Sequence, residues 1–232
     1  RLRVRAVAQG RRPDPPPNAA ARIAARGRLV LGQTTGSASG VVLAGGRSTR
    51  FGDADKLTTE YAGMPVLHHA VLRLAEVTGD VVVVLAPDGP EPAMPPGAPV
   101  RFARDPREGE GPLAGAVAGL AVVDRDLAVV AGGDMPSLST AVILEMLRIA
   151  SEAPADAVAL QEGDRFRPLP VAVQVANVRE AAHVLLHDGE RSLRAWLQAL
   201  RVAVIDEATW MALDPERGTL RDIDEPSDLD PS

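Results

Sequence analysis

Three short runs constrain this chain more than any other feature: "GVVLA" (40–44), "DVVVVLA" (80–86) and "DLAVVAGGD" (126–134). Each is apolar through its centre rather than at every second position. A strand with one face in water alternates, whereas a strand apolar throughout is buried on both faces. Segments with helical spacing separate the runs: "MPVLHHAVLRLAEVT" (64–78), "GPLAGAVAGLAVV" (111–123) and "LSTAVILEMLRIASEA" (138–153). Pro65 and Pro112 stand where first-turn prolines belong. "PVRFARD" (99–105), "ADAVALQ" (155–161), "LPVAVQVA" (169–176), "VAVID" (202–206) and "TLRDID" (219–224) read as further strands. "VREAAHVLLHDG" (178–189) and "SLRAWLQAL" (192–200) read as helices. The alternation predicts an α/β fold: one three-layer domain with a mostly parallel sheet and helices on both faces.

Composition sets the limits of that domain. The chain has 232 residues, 46% of them hydrophobic but only 3% aromatic, so the core is aliphatic. There is no cysteine, which excludes disulfides and thiolate metal sites. No apolar run approaches the roughly 20 residues that span a bilayer, and no membrane partner is expected. Residues 1–39 differ from the rest. They hold eight arginines against one acid, Asp14, a net of +7, so the remainder carries −13 of the overall −6. This Arg/Pro/Ala-rich leader (1–39) is expected to be a disordered extension ahead of the domain at 40–232. The chain opens on Arg rather than Met, as a fragment or an extended reading frame would. The acidic body argues against a nucleic-acid partner.

In sheets of this kind ligands bind beyond the carboxyl ends of the strands. The residues that follow strands are therefore the ones to inspect. After the first comes "LAGGRSTRFGDADK" (43–56), which closes on Lys56, the only lysine among 25 basic residues. Gly45 and Gly46 let backbone N–H groups approach a phosphate. Arg47, Arg50 and Lys56 add three cations. A P-loop needs G-x-x-x-x-G-K-S/T, and no Gly-Lys pair occurs; a dinucleotide fingerprint needs G-x-G-x-x-G, which this loop lacks. A triphosphate site remains, against the plainer alternative of a strand-to-helix turn with solvated arginines. Asp134 in "AGGDMP" suits a hard divalent cation such as Mg²⁺, or is a solvated loop carboxylate. Asp224 in "DIDEP" is a second metal candidate with a helix N-cap as its rival role. Asp222 is expected to face the other way if that strand alternates. His183 and His187 lie i, i+4 without a third ligand and read as surface or half-buried helix positions. Of the His68-His69 pair, one ring is expected in the core and one outside.

The loop "LAGGRSTRFGDADK" closely resembles the L-A-G-G-x-S-x-R-M-G-x-D-K signature of the nucleotidyltransferases that build molybdenum cofactor dinucleotides. "GPLAGAVAGL", "GGDMPSL", "RPLPVAV", "GERSLRAWL" and "DIDEPSDL" are similar to later blocks of that family, in the same order. The resemblance implies a Rossmann-like sheet of the nucleotide-diphospho-sugar transferase type. It implies transfer of GMP from GTP to the phosphate of molybdopterin, with pyrophosphate leaving and Mg²⁺ as cofactor, in the cytoplasm. Both substrates are anions, so positioning and cations carry such catalysis. By resemblance Lys56 and Arg50 act over the phosphates. Leu43, Ala44, Gly45, Gly46, Lys56, Asp105 and Asp134 bind the nucleotide, and Asp134 and Asp224 hold the metal. A compact ammonium on a flexible stem follows a moving phosphate better than a planar guanidinium, which would explain one retained lysine. "LAGG" resembles the guanylyl branch; cytidylyl relatives more often carry L-A-A-G. Arg167 stands where the family commonly has His or Gln. Transient docking with other molybdenum cofactor proteins is the one protein partnership the resemblance implies. The alternatives are cytidylyl transfer to molybdopterin, guanylyl transfer to another phosphorylated small molecule, and a nucleotide-binding module without turnover.

Overall fold

A computed structural model describes residues 37–45, 56–106 and 109–229. Seven strands form one sheet: β1 (Ala38–Leu43), β4 (Asp80–Leu85), β5 (Val100–Arg104), β6 (Leu127–Gly132), β7 (Ala157–Glu162), β8 (Arg165–Gln174) and β9 (Val202–Ile205). Two short strands, β2 (Glu60–Tyr61) and β3 (Met64–Pro65), make a separate hairpin. The helices are α1 (Val66–Ala75), α2 (Gly111–Ala121), α3 (Thr140–Glu152), α4 (Val175–His187), α5 (Leu193–Gln198) and α6 (Glu207–Leu213).

The sheet order is β5-β4-β1-β6-β8-β7-β9. All pairings are parallel except those of β8, which runs antiparallel to both β6 and β7. Strand residues divide by parity between two cores. Val42, Val81, Val83, Val129 and Ala131 face α1 and α3. Val41, Val82, Val84, Ala128 and Val130 face α2, α4 and α5. Burial on both faces is why these strands are apolar at every position. Gly119 of α2 makes close approach possible on the second face, since a Cβ there would collide with Val41 and come within 2.8 Å of Val84.

Several boundaries depart from the sequence expectation. β1 begins at Ala38, so Ala38 and Ser39 extend the first strand ahead of the expected "GVVLA". Both are buried, and Ser39 Oγ donates to Asp80 Oδ1 at 2.6 Å. "TLRDID" is not a strand. It begins inside a 3-10 turn (Gly218–Leu220) and continues as irregular chain: Thr219 and Leu220 are buried side by side and Ile223 three residues on, a turn's spacing rather than a strand's alternation. Pro65 ends β3 and occupies the N-cap position of α1, one residue ahead of the first turn, without a side-chain capping bond. The sheet order reverses between β1 and β6: the chain runs outward through β4 and β5, then returns to the other side of β1. That is a topological switch point, where a crevice opens beyond the strand ends.

Candidate active site

Two loops meet at this switch point. After β6, Gly133 N–H donates to Leu43 O at 2.9 Å, which draws the loop against the end of β1. The lack of a side chain at Gly133 matters, since a Cβ there would stand 3.1 Å from Leu43 O and from Leu67 Cδ1 and 3.4 Å from Leu57 Cδ2. Leu57 is itself core, and its carbonyl accepts from Leu67 N–H at 3.0 Å at the start of α1. Packing of Leu57 on Gly133 thereby brings its neighbour Lys56 beside Asp134. At Gly132 a Cβ would collide with Asp134 Oδ1, so only glycine lets that carboxylate fold back over the loop.

Lys56 Nζ donates to Asp134 Oδ2 at 2.8 Å and to Asp224 Oδ1 at 3.4 Å. Burial pulls the proton affinity of the Lys56 ammonium down. The hydrogen bond and charge of Asp134, joined by Asp224, outweigh that and leave it above the usual lysine value. Asp224 arrives from the far end of the chain. Ile223, fully buried, donates its N–H to Asp134 O at 2.8 Å and pins the two segments together. Asp228 Oδ2 accepts from Asp224 N–H at 2.9 Å and Glu225 N–H at 2.8 Å. Asp228 therefore does the capping, and the carboxylate of Asp224 turns to Lys56 instead.

The expectation that Asp222 faces away is corrected. Asp222 and Asp224 lie two apart on either side of buried Ile223 and share a side. Burial, and then the charges of Asp224 and Asp134, hold the Asp222 carboxyl above the ordinary aspartate value. Arg167 borders this acidic group, with Nη2 3.9 Å from Asp222 Oδ2 and Nη1 3.3 Å from Glu162 Oε2. It reaches the ligand-binding edge because β8 runs antiparallel, which brings its first residues to the end where the other strands finish.

Leu43, Ala44 and Gly45 lie at the end of β1. Ala44 N–H donates to Val84 O at 2.8 Å, and a Cβ on Gly45 would stand 3.3 Å from Ala86 N. Asp105 follows β5, with its N–H on Leu85 O at 2.9 Å. Its carboxylate turns toward α2, where a Cβ on Gly115 would lie 3.7 Å from Asp105 Oδ2 and 3.5 Å from Leu43 Cδ2. The structure thus gathers Lys56, Asp134 and Asp224 in one cluster and Leu43 and Asp105 around Gly115. Gly46, Arg47 and Arg50 lie outside the described residues.

The family model described as the MobA-like NTP transferase domain matches residues 40–204. The chain belongs to this family. It is a nucleotidyltransferase. A curated relative from Natronomonas pharaonis, named "Probable molybdenum cofactor guanylyltransferase", is 31% identical over 200 residues, 84% of this chain and 96% of that protein. The molybdenum cofactor guanylyltransferase of Bordetella pertussis is 32% identical over 176 residues, 72% of this chain and 85% of its own. Among solved structures, molybdopterin-guanine dinucleotide biosynthesis protein A from Archaeoglobus fulgidus superposes with a TM-score of 0.68. It is 22% identical and covers 82% of this chain and 94% of its own, a likeness of fold.

Sequence reading missed the position of Asp222 and the parts played by Asp228 and Arg167. A signal for Asp222 was present, since residues two apart in an extended segment share a face. His68 and His69 are both half-buried, and neither ring enters the core. Their Nε2 atoms lie 2.8 Å from Ala93 O and 2.7 Å from Tyr61 O. His183 and His187 are both exposed, the first of the two placements expected for them.

Proposed function

We propose that this nucleotidyltransferase moves GMP from GTP to the terminal phosphate of molybdopterin, forming the guanine dinucleotide form of the molybdenum cofactor. The observation that carries the reading is the Lys56–Asp134–Asp224 cluster beyond the β1/β6 switch point. The names of the curated relatives support guanine as the base and molybdopterin as the acceptor. The same reading puts the enzyme in the cytoplasm, in transient contact with other molybdenum cofactor proteins.

In this reaction an oxygen of the acceptor phosphate attacks the α-phosphorus of GTP. A new P–O bond forms, the bond from the α-phosphorus to the α–β bridging oxygen breaks, and pyrophosphate leaves with that oxygen. Backbone N–H groups of the loop after β1 and the cations Arg50 and Lys56 receive the triphosphate and hold it in line. Lys56 follows the charge that grows on the leaving pyrophosphate. Leu43, Ala44 and Asp105 border the nucleoside.

The donor set fits Mg²⁺. Asp134 and Asp224 offer hard oxygen ligands, and an ammonium already lies between them where positive charge is favoured. Among the described residues no group of three or more His, Cys, Asp or Glu side chains could cage a metal. That suits an ion held by one or two carboxylates and completed by phosphates and water. Bound there, Mg²⁺ supplies neutralisation of the phosphate oxygens.

Pyrophosphate release should be measured with Mg²⁺, GTP or CTP, with and without molybdopterin. The reading expects release that needs GTP and acceptor together. Preference for CTP, or release indifferent to molybdopterin, overturns it.

A further inference from the structure

We infer that Lys56 is a displaceable counter-ion that makes the site select the metal–nucleotide complex over either the free divalent metal or the free nucleotide. The inference rests on the reading that a triphosphate binds beside Lys56, and goes beyond it by naming the form of substrate that is bound.

The argument begins with charge. Asp134 and Asp224 are the two carboxylates that suit a divalent cation, and both are engaged by one ammonium, at 2.8 and 3.4 Å. Asp222 has a cation of its own, with Arg167 Nη2 3.9 Å from its Oδ2, so Asp134 and Asp224 are the pair that depends on Lys56. Positive charge is therefore needed here before any ligand arrives, and Lys56 supplies it. A free metal ion entering between Asp134 and Asp224 must push the ammonium out. The Lys56 side chain is only 17% exposed and its neighbour Leu57 is anchored in the core, so the displaced charge would leave both carboxylates without gaining full hydration. A free triphosphate meets the converse difficulty: drawing Lys56 away leaves Asp134 and Asp224 facing four phosphate charges. Only the two together balance, with the metal on the carboxylates and the ammonium on the phosphates. A guanidinium, bulkier and fixed in shape, would make this exchange poorly. The chain writes every other basic residue as arginine and keeps lysine here.

The same fact makes the test clean. With lysine-selective ¹³Cε labelling the wild-type protein gives one lysine signal, that of Lys56. The expected result is little movement on adding Mg²⁺ alone or GTP with EDTA, and a clear shift with Mg²⁺ and GTP together. A shift of equal size with Mg²⁺ alone overturns the inference, as does no shift with Mg²⁺ together with either GTP or CTP. Binding of Mn²⁺ followed by electron paramagnetic resonance gives the second readout. Lys56→Met should bind free Mn²⁺ at least tenfold more tightly than wild type while binding Mn²⁺–GTP more weakly. Unchanged or weaker binding of free Mn²⁺ overturns it. Repeating the NMR titration with CTP separates this inference from the guanylyl reading. A Lys56 shift with Mg²⁺–CTP but not Mg²⁺–GTP would sink the base assignment and leave the exchange intact.

Discussion

Lys56 Nζ lies 2.8 Å from Asp134 Oδ2, although 78 residues separate the two in the chain. The contact joins the segment entering α1 to the loop after β6, the two sides of the point where the sheet order reverses. It forms because Leu57 packs on Gly133, so a core contact sets the distance between two charges. The site is therefore preorganised from beneath rather than by its own ion pair, and charge substitutions should alter chemistry more than folding.

Lys56→Met should lower the turnover number by roughly 10²–10³-fold, the usual effect of removing one group aimed at developing charge. Lys56→Arg should recover only part of that loss, because the guanidinium cannot take the same compact position. Steady-state pyrophosphate release, with circular dichroism to verify the fold, checks both. Wild-type turnover in Lys56→Met would remove lysine from the mechanism.

Gly132→Ala should be far more harmful than its one methyl suggests. The new Cβ would collide with Asp134 Oδ1, and either the carboxylate or the loop must shift. A stability loss of about 1–3 kcal/mol is expected from the overpacking, with at least a tenfold loss of activity. Gly89→Ala is the control: its Cβ would meet Ala86 at 3.6 Å, an ordinary contact, so stability should hold. Urea midpoints of the two variants decide the matter.

These relationships were legible in the sequence to different degrees. β1, β4 and β6 could be read because burial on both faces leaves continuous apolar runs, and the loops at their ends followed from that. The reversal of β8 could not be read, since "LPVAVQVA" has the same pattern in either direction. That reversal is what brings Arg167 to the site. The segment before Asp224 misled for a different reason: Thr219 and Ile223 are β-branched and suit a strand by residue type, whereas the three-residue step from Leu220 to Ile223 is a turn's. The pairing of Lys56 with both Asp134 and Asp224 depends on three distant segments, and only motif resemblance placed them together in advance.

The cap of α6 gives a pH test away from the site. Asp206 Oδ1 accepts from Thr209 N–H at 2.8 Å. That backbone bond, with the Thr209 hydroxyl, holds the carboxyl below its ordinary value of 3.8. A depressed folded-state value means the stabilisation is present above the unfolded value and disappears as pH falls through the folded one. Asp206→Ala should therefore cost about 0.5–1 kcal/mol at pH 7, as exposed caps do. The difference from wild type should close below the ordinary aspartate range. Urea denaturation of both proteins from pH 7 down to the acid limit of folding measures the gap; a gap that widens on acidification contradicts the assignment.

Thr219 tests whether the acidic turn is positioned from outside the site. It is fully buried, and its hydroxyl donates to Asp214 Oδ2 at 2.6 Å while accepting from Ser139 N–H at 3.1 Å. Its own N–H donates to the same Asp214 oxygen at 2.7 Å. This network ties the start of the last segment to the beginning of α3, five residues before Asp224 takes up its place beside Lys56. Thr219→Val keeps the shape and deletes the hydroxyl, leaving Ser139 N–H without its acceptor and Asp214 one donor short. A loss of about 1–3 kcal/mol is expected. If the network also sets Asp224, kcat/KM should fall severalfold at temperatures where the variant is fully folded, and the Mg²⁺ concentration for half-maximal rate should rise. Thr219→Ser retains the hydroxyl and should keep the wild-type Mg²⁺ dependence. A Thr219→Val enzyme that loses stability but keeps that dependence would make the network a structural tie alone, with Asp224 held by Ile223 and Asp228.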